Sequence, residues 1–240
     1  MFEREPVVGT MSAQVARIIG TKIVGGDYAP GESLPIEGDL CSQYGVSRTT
    51  IREAIKHLAG KRLIEVQPKT GTRVLPFADW NLLDREVLSW RLNAQFDSKI
   101  VEDIFEMRLC FEPRASYLAA RSGTAEDLKT IERRYAKLAD IVQAGNDIRL
   151  AAQADLDFHM TILNVSQNGM FITIGSAIKA ALRISSEMLQ RHAKHPSEDL
   201  TLYADIRDSI VGRQPEAAAD AMTRLLKASL ARVLPITTKI

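Results

Sequence analysis

Two arginines one helical turn apart, Arg48 and Arg52, are the side chains of this chain best suited to bind a polyanion. Ile51 and Ile55 recur at the same spacing on another side of the segment, which indicates an amphipathic helix. A guanidinium can donate two parallel hydrogen bonds to guanine O6 and N7, or to a phosphate. The pattern therefore indicates a helix that presents one side to duplex DNA, although such a face, taken alone, is more often simply solvated.

The segments around this helix are those of a winged helix-turn-helix. Gly45 breaks a preceding short helix over residues 34–44, and Ser47 is a good N-cap for the helix that follows. Two β-prone segments come next, at 63–75, with a hairpin tip between them. Two short helices about a Gly-Val-Ser turn, followed by a basic hairpin, predict a DNA-reading head of this type.

Positive charge is concentrated in the same region. Residues 46–74 carry seven basic and two acidic side chains, a net charge of +5 in a chain whose total is +1, so the remainder carries −4. A short basic block on an otherwise acidic chain is typical of a localised phosphate-binding surface.

Residues 24–35 and 45–54 closely resemble the N-terminal domain of GntR-family regulators. The resemblance implies DNA contacts on the second helix of the motif and in the wing, at Ser47, Arg48, Thr49, Thr50, Arg52, Lys69, Thr70 and Gly71. The chain departs from the family at Ile36, where a capping Ser or Ala is common, and at Gly38, where several members carry a basic residue. A DNA contact from position 38 is therefore not carried over to this chain.

From residue 81 onward the pattern is helical, with no strand signal and no repeat. The expected helices are 81–93, 98–121, 125–142, 147–165, 170–191, 199–211 and 215–233. Thr124 with Asp127 is a suitable N-terminal cap for the third of them. We therefore expect a mainly α fold, with a winged helix-turn-helix DNA-binding domain over 1–76 and an all-helical antiparallel bundle over 77–240.

The C-terminal half is similar in length and motifs to the FadR group of this family, whose ligand domain is of the FCD type. Residues 106–120 and 155–159 carry that similarity. Residues 79–90 are similar to the start of the domain in sugar-acid regulators of the galactonate type. The resemblance implies an effector-binding and dimerisation domain whose ligand is a small carboxylate or a sugar acid.

Asp155 and His159 are four residues apart, so they share one helix face and could form half of a metal site. In many family members two further histidines complete that site, and Tyr203 and Leu225 stand at those positions here. Leucine cannot ligate a metal and neutral tyrosine is a poor ligand, so we expect no metal cofactor, with Asp155 and His159 as the remaining candidates. The alternatives for the pair are a hydrogen-bonding role in the effector cavity, together with Tyr203, and a buried structural contact.

A carboxylate effector inside a helical bundle needs a cation or several donors to offset its desolvation. Arg108, by its family position, and Arg183 are the candidates, although either could reach the surface or pair with a helix neighbour. The expected effector-binding residues are Arg108, Asp155, His159, Arg183 and Tyr203.

These observations predict a transcription repressor that binds double-stranded operator DNA as a homodimer under the control of its effector. Two other functions stay open: a helical enzyme using Arg108, Asp155 and His159, and a dimeric DNA-binding protein without an effector. The enzyme is disfavoured because neither a Gly-rich phosphate loop nor a positioned nucleophile is recognisable. No segment approaches the ~20 apolar residues of a membrane span. Cys41 and Cys110 are expected as buried thiols, which favours a cytoplasmic protein.

Overall fold

The computed structural model describes residues 10–67, 71–94, 98–145, 147–179, 182–183 and 196–237. Its contacts divide the chain into two units, Met1–Phe96 and Asp97–Ile240. Both units bury apolar side chains of their own.

The first unit has the elements of a winged helix-turn-helix followed by one more helix. Its described elements are α1 (Met11–Val24), α2 (Glu37–Tyr44), α3 (Arg48–Gly60), β1 (Ile64–Gln67), β2 (Gly71–Val74), a 3-10 turn at Phe77–Asp79, and α4 (Arg85–Ala94). The two strands pair antiparallel in a register that sets Ile64 opposite Val74. A single core lies beneath them, and Ile19, Leu40 and Ile51 are among its most buried members. The predicted reading head is therefore confirmed as a fold.

Helix α2 begins later than the sequence pattern predicts. The predicted start was Leu34, but its amide donates to the Thr72 carbonyl at 2.8 Å, and Ser33 forms a bridge with Arg73. This segment is therefore extended along the wing and cannot be helical. The N-cap of α2 is Ile36, which makes no side-chain capping bond and is 70% exposed, as its departure from the family pattern implies.

The segment after the wing packs with the first unit. Trp80 donates from its indole nitrogen to the Leu75 carbonyl at 2.8 Å. Helix α4 lies against α1, where a Cβ on Gly20 would overlap the Trp90 ring. Residues 77–94 fall within the predicted effector domain, whereas their contacts are those of the reading head. As functional domains, 1–76 and 77–240 stay a prediction.

The second unit is built from helices throughout its described residues. They are α5 (Ser98–Ser122), α6 (Ala125–Ala144), α7 (Ile148–Val165), α8 (Gly169–Ala177), α9 (Pro196–Val211) and α10 (Pro215–Thr237). Helix α5 packs along α10 and also contacts α7, α8 and α9, while α6 packs on α7 and α9. The predicted all-helical bundle is confirmed. The predicted helix 170–191 corresponds to α8, and most of its second half lies outside the described residues.

Within the described segments, no helix is both long enough and apolar enough to cross a membrane. The expectation that both cysteines are buried is wrong, since Cys110 is exposed and Cys41 is half-buried. Cys110 is exposed because its position on α5 turns away from the apolar side that carries the buried residues Ile104 and Phe111.

The N-terminus of α6 carries the capping box that the sequence predicts. Thr124 accepts a hydrogen bond from the Asp127 amide at 3.2 Å, and Asp127 accepts one from the Thr124 amide at 2.9 Å. We expect Thr124→Ala to lower the free energy of unfolding by about 1 kcal/mol, because amides of the first turn lose their acceptor. Urea unfolding followed by circular dichroism measures this. Thr130→Ala is the control, since its hydroxyl bonds to the Glu126 carbonyl and to Arg133 and caps no amide of the first turn. Equal losses in the two variants would contradict the capping role.

Candidate nucleic-acid interface and buried polar cluster

Helix α3 buries one side in the reading-head core. Ile51, Ala54 and Leu58 are each 0% exposed, which fixes the rotation of the helix about its axis. Arg48, Thr49 and Arg52 are consequently exposed on the opposite surface, and Thr50 is half-buried. The arginine face inferred from residue spacing is therefore solvent-accessible within the reading head.

Ser47 sets where α3 begins. Its hydroxyl accepts from the Thr50 amide at 3.2 Å and lies 2.9 Å from the Thr50 hydroxyl, so the predicted N-cap is confirmed. The cap is exposed, and the other amides of the first helical turn lie beside it. A helix N-terminus with free amide donors attracts a phosphate. This attraction adds to that of the positively charged Arg48 at the same end of α3.

Arg52 has an acidic neighbour on α2. Its Nε lies 3.0 Å from Glu37 Oε2 and 3.2 Å from Oε1, and its side chain remains 63% exposed. Exposed ion pairs of this kind contribute little stability, about 0–1 kcal/mol. The pair orients the guanidinium without holding it strongly, so a base or phosphate could replace Glu37.

The wing is described only in part. Lys69 and Thr70 lie outside the described residues, while Gly71 begins β2 with a φ of +89°. Such a backbone conformation favours glycine, as the sequence analysis expected for this turn. Arg73, which was included only in the net charge of the basic block, is exposed on β2, the second strand of the wing.

Lys61 does not contribute to the basic surface in which its charge was counted. It is 6% exposed, and its Nζ lies 2.9 Å from Asp84 and 2.6 Å from Glu86. Burial alone would lower its pKa, but the hydrogen bonds to Glu86 and Asp84 outweigh burial and raise the pKa. Its charge is neutralised by Asp84 and Glu86 within the reading head.

A second group of polar residues lies buried within the helical unit. Arg108 and Glu112 come from α5, Asp155 and His159 from α7, and Tyr203 from α9, and each is at most 7% exposed. The i, i+4 spacing within α5 and within α7 places both members of each pair on one helix face. The structure thus brings together four of the five residues predicted to bind the effector.

The cluster is held by short contacts that cross three helices. Arg108 Nε donates to Glu112 at 2.6 Å, His159 Nδ1 lies 2.7 Å from Glu112, and His159 Nε2 lies 3.3 Å from Asp155. The Tyr203 hydroxyl donates to Asp155 at 2.6 Å. Glu112 therefore joins Arg108 of its own helix α5 to His159 of α7, and Asp155 joins His159 of α7 to Tyr203 of α9.

The charges of the cluster balance. Burial would lower the pKa of His159, but Glu112 and Asp155 outweigh it and raise the pKa to about 9. Burial would likewise raise the pKa of Glu112, yet Arg108 and His159 hold it at about 2. Two cations therefore face two carboxylates, which reduces the cost of burying all four.

The contact between Arg108 and His159 is not a hydrogen bond in this protonation state. The guanidinium Nη2 lies 3.4 Å from Nδ1 and 3.3 Å from Nε2, nearly equidistant from the two ring nitrogens. With both ring nitrogens protonated, neither can accept a hydrogen bond from the guanidinium. The carboxylates of Glu112 and Asp155 hold the two cations together.

Sequence reasoning missed one member of the cluster and included one residue outside it. Glu112 was noted only as part of a family motif, although its i, i+4 spacing from Arg108 is the signal that could have identified an ion pair. Arg183 is exposed and does not belong to the buried group. Its effector-binding role stays a prediction.

The cluster does not fit the divalent metal that the family resemblance suggests. Leu225, at one family ligand position, is 1% exposed and has no donor atom. The hydroxyl of Tyr203, at the other, donates a hydrogen bond to Asp155. The two ring nitrogens of His159 already face the carboxylates of Glu112 and Asp155. Among the described residues, no group of three or more His, Cys, Asp or Glu side chains could hold a metal ion.

The raised pKa of His159 makes a signed prediction about stability. A histidine with a pKa of 6.5 unfolded and about 9 folded stabilises the protein fully below pH 6.5 and progressively loses that contribution up to pH 9. The difference in unfolding free energy between wild type and His159→Gln should therefore shrink across this range, by on the order of 3 kcal/mol. Urea unfolding at pH 6, 7.5 and 9 measures it, with His57→Gln, at a half-buried histidine of α3, as the control. A difference that stays constant with pH would contradict a charged His159.

Comparison with known proteins agrees with both parts of the structure. Residues 11–74 match the family described as bacterial regulatory proteins, gntR family, and residues 103–228 match the FCD domain. The chain is 32% identical to the uncharacterized HTH-type transcriptional regulator YieP of Escherichia coli, over 90% of this chain and 93% of the relative. It is 31% identical to the galactonate operon transcriptional repressor of Escherichia coli, over 91% of this chain and 95% of that protein.

A solved structure shares the fold along most of the chain. The Streptococcus agalactiae GntR structure aligns with a TM-score of 0.50 and 26% identity, covering 92% of this chain and 99% of that one. The basic helix α3 and the helical unit that follows it thus have counterparts in known regulators. The chain belongs to the GntR family of bacterial regulatory proteins, with a C-terminal FCD domain.

Proposed function

We propose that this protein is a transcription repressor that releases or holds its operator according to a bound sugar acid. The observation that carries the DNA-binding part is the exposure of Arg48 and Arg52 on a helix whose other side is fully buried. Two guanidinium groups one turn apart can each read a guanine or clamp a phosphate. The protein acts where the DNA is, in the cytoplasm.

The regulator acts as a homodimer that binds a palindromic site. One short recognition helix contacts too few base pairs to select one site in a genome, and a second copy doubles the contacts. Two copies of α3 then enter successive major grooves on one side of the duplex.

The buried polar cluster supports the effector-binding part of the proposal. A sugar acid offers one carboxylate and several hydroxyls, and the cluster offers a guanidinium, an imidazolium, a phenol and two carboxylates. The effector carboxylate would take the place of Glu112 on Arg108, because both compete for the same fork of donors. The similarity to a galactonate operon repressor supports this ligand class.

Replacing the exposed arginines tests the DNA-binding face. We expect Arg48→Ala and Arg52→Ala each to weaken binding to a duplex selected on the wild-type protein by about 1–3 kcal/mol, with thermal unfolding unchanged. Fluorescence anisotropy measures affinity. The decrease of log affinity with log salt concentration should become shallower where a phosphate contact is lost. Arg133→Ala, an exposed arginine of α6 paired with Glu126, is the matched control. Wild-type affinity in both α3 variants would exclude this face.

A thermal-shift titration tests the effector site. Galactonate, gluconate and shorter hydroxy acids should include at least one that raises the melting temperature with concentration, because a ligand of the folded state stabilises it by mass action. Tyr203→Phe, which removes the hydroxyl bonded to Asp155, should weaken the shift. Tyr135→Phe, at a ring that contacts Arg207 instead, should leave it unchanged. Equal shifts in the two variants would place the effector elsewhere, and the absence of any shift would favour a regulator without effector.

The same titration separates regulation from catalysis. We propose that the protein is not an enzyme, so the sugar acid that binds should be recovered unchanged after prolonged incubation. Mass spectrometry of the incubated ligand measures this, and steady conversion that depends on His159 would instead support the helical enzyme.

A further inference from the structure

Lys61 is a buried cation at the end of the recognition helix. It follows Gly60, the last residue of α3, and its side chain is 7% exposed. Its Nζ lies 2.9 Å from both carboxylate oxygens of Asp84 and 2.6 Å from Glu86. Its main-chain carbonyl accepts from the Asn81 amide at 3.2 Å. The end of α3 is thus bound to the segment that leads into α4 by both side chain and backbone.

The carboxylate of Asp84 makes contacts with both α3 and α4. Its Oδ1 accepts from the amides of Glu86 at 2.9 Å and Val87 at 3.1 Å, so it caps the first turn of α4 while it binds Lys61. Glu86 adds a contact to His57 on α3 at 3.3 Å. Both carboxylates come from the first residues of α4 or just before it, so any change in the direction of this helix moves the acceptors of Lys61.

The other side of α4 is seated against α1. The Trp90 ring lies directly on the backbone of Gly20, where any side chain would overlap it. Val87 is 0% exposed within the reading-head core, and the Lys61 ammonium lies 5.7 Å from the Trp90 ring centroid. The ion pair thus holds α4 to the end of α3, and the neighbouring tryptophan holds it to α1.

We infer that Lys61 is a positioning residue for DNA recognition: it fixes the angle of α3 to α4, so that the two helices move as one body. The inference rests on the proposed DNA-binding function of α3. Helix α4 is the last element before the chain enters the second unit, at the division between Phe96 and Asp97. A displacement passed along the chain into α4 therefore turns the arginine face, because the junction does not bend.

If packing were the only requirement at position 61, an apolar side chain would be sufficient. Burying an ammonium costs desolvation energy, and replacement of a buried ion pair by apolar groups is often neutral or stabilising. The two charge-assisted hydrogen bonds to Asp84, in contrast, are directional, and together with the ion pair to Glu86 they hold one geometry. The arrangement fits a role in orientation better than a role in stability.

The test compares specific with non-specific DNA binding in the full-length chain. The probes are a duplex selected on the wild-type protein from a randomised pool and a scrambled duplex of the same composition. Lys61→Met should reduce the ratio of the two affinities about three- to tenfold, while it stays folded by circular dichroism and binds the scrambled duplex as before. A residue with a merely structural role would leave this ratio unchanged in the folded protein.

Lys56→Met is the matched control. Lys56 is on the same helix, its side chain is 73% exposed and it pairs with Glu53, so its loss should lower both affinities alike and keep their ratio. If Lys61→Met does not fold, Glu86→Gln provides the test. This variant removes the charge pair between Lys61 and Glu86 and keeps the hydrogen bond from Lys61 to Asp84. This variant should show a smaller decrease in the ratio.

Two failures are distinguishable. A wild-type protein that binds both duplexes equally would overturn the proposed function and the inference with it. A normal wild type, together with an unchanged ratio in folded Lys61→Met or Glu86→Gln, would overturn the positioning role alone.

Discussion

The rotation of α3 about its own axis is the constraint on which the reading head depends. Ile51, Ala54 and Leu58 are completely buried, and a turn of the helix by one residue would expose them and bury an arginine. The hydrophobic core therefore determines where Arg48 and Arg52 point. The cap at Ser47 and the ion pair at Lys61 add to this by fixing the two ends of the same helix.

The two units use charge in different ways. On the reading head, most described basic groups are exposed and bound to at most one weak partner, so DNA can replace that partner. In the helical unit, Arg108 and His159 are buried against Glu112 and Asp155, and the group is neutral as a whole. Under the proposed function, an anionic effector bound here would exchange with one of these carboxylates, and that exchange would loosen contacts that join α5, α7 and α9. The cluster is therefore a place where ligand binding can alter helix packing.

Local signals explain what could be predicted from the sequence, and long-range contacts explain what could not. The caps at Ser47 and Thr124 depend on residues three positions apart, so they are readable in sequence order. The late start of α2 depends on the Thr72 carbonyl, far along the chain. Lys61 was counted as surface charge because its partners, Asp84 and Glu86, lie far along the chain, just before and within α4. Glu112 was missed as a site residue since its link to His159 crosses from α5 to α7.

Chemical footprinting of arginines is the most direct measurement of the central claim, that α3 presents its arginines to a duplex. The protein is treated with phenylglyoxal with and without its selected duplex, and the modified peptides are quantified by mass spectrometry. Arg48 and Arg52 should react in the free protein and be protected in the complex, while Arg133 and Arg149, exposed in the helical unit, keep their reactivity. Unchanged reactivity of Arg48 and Arg52 in the complex would contradict the account.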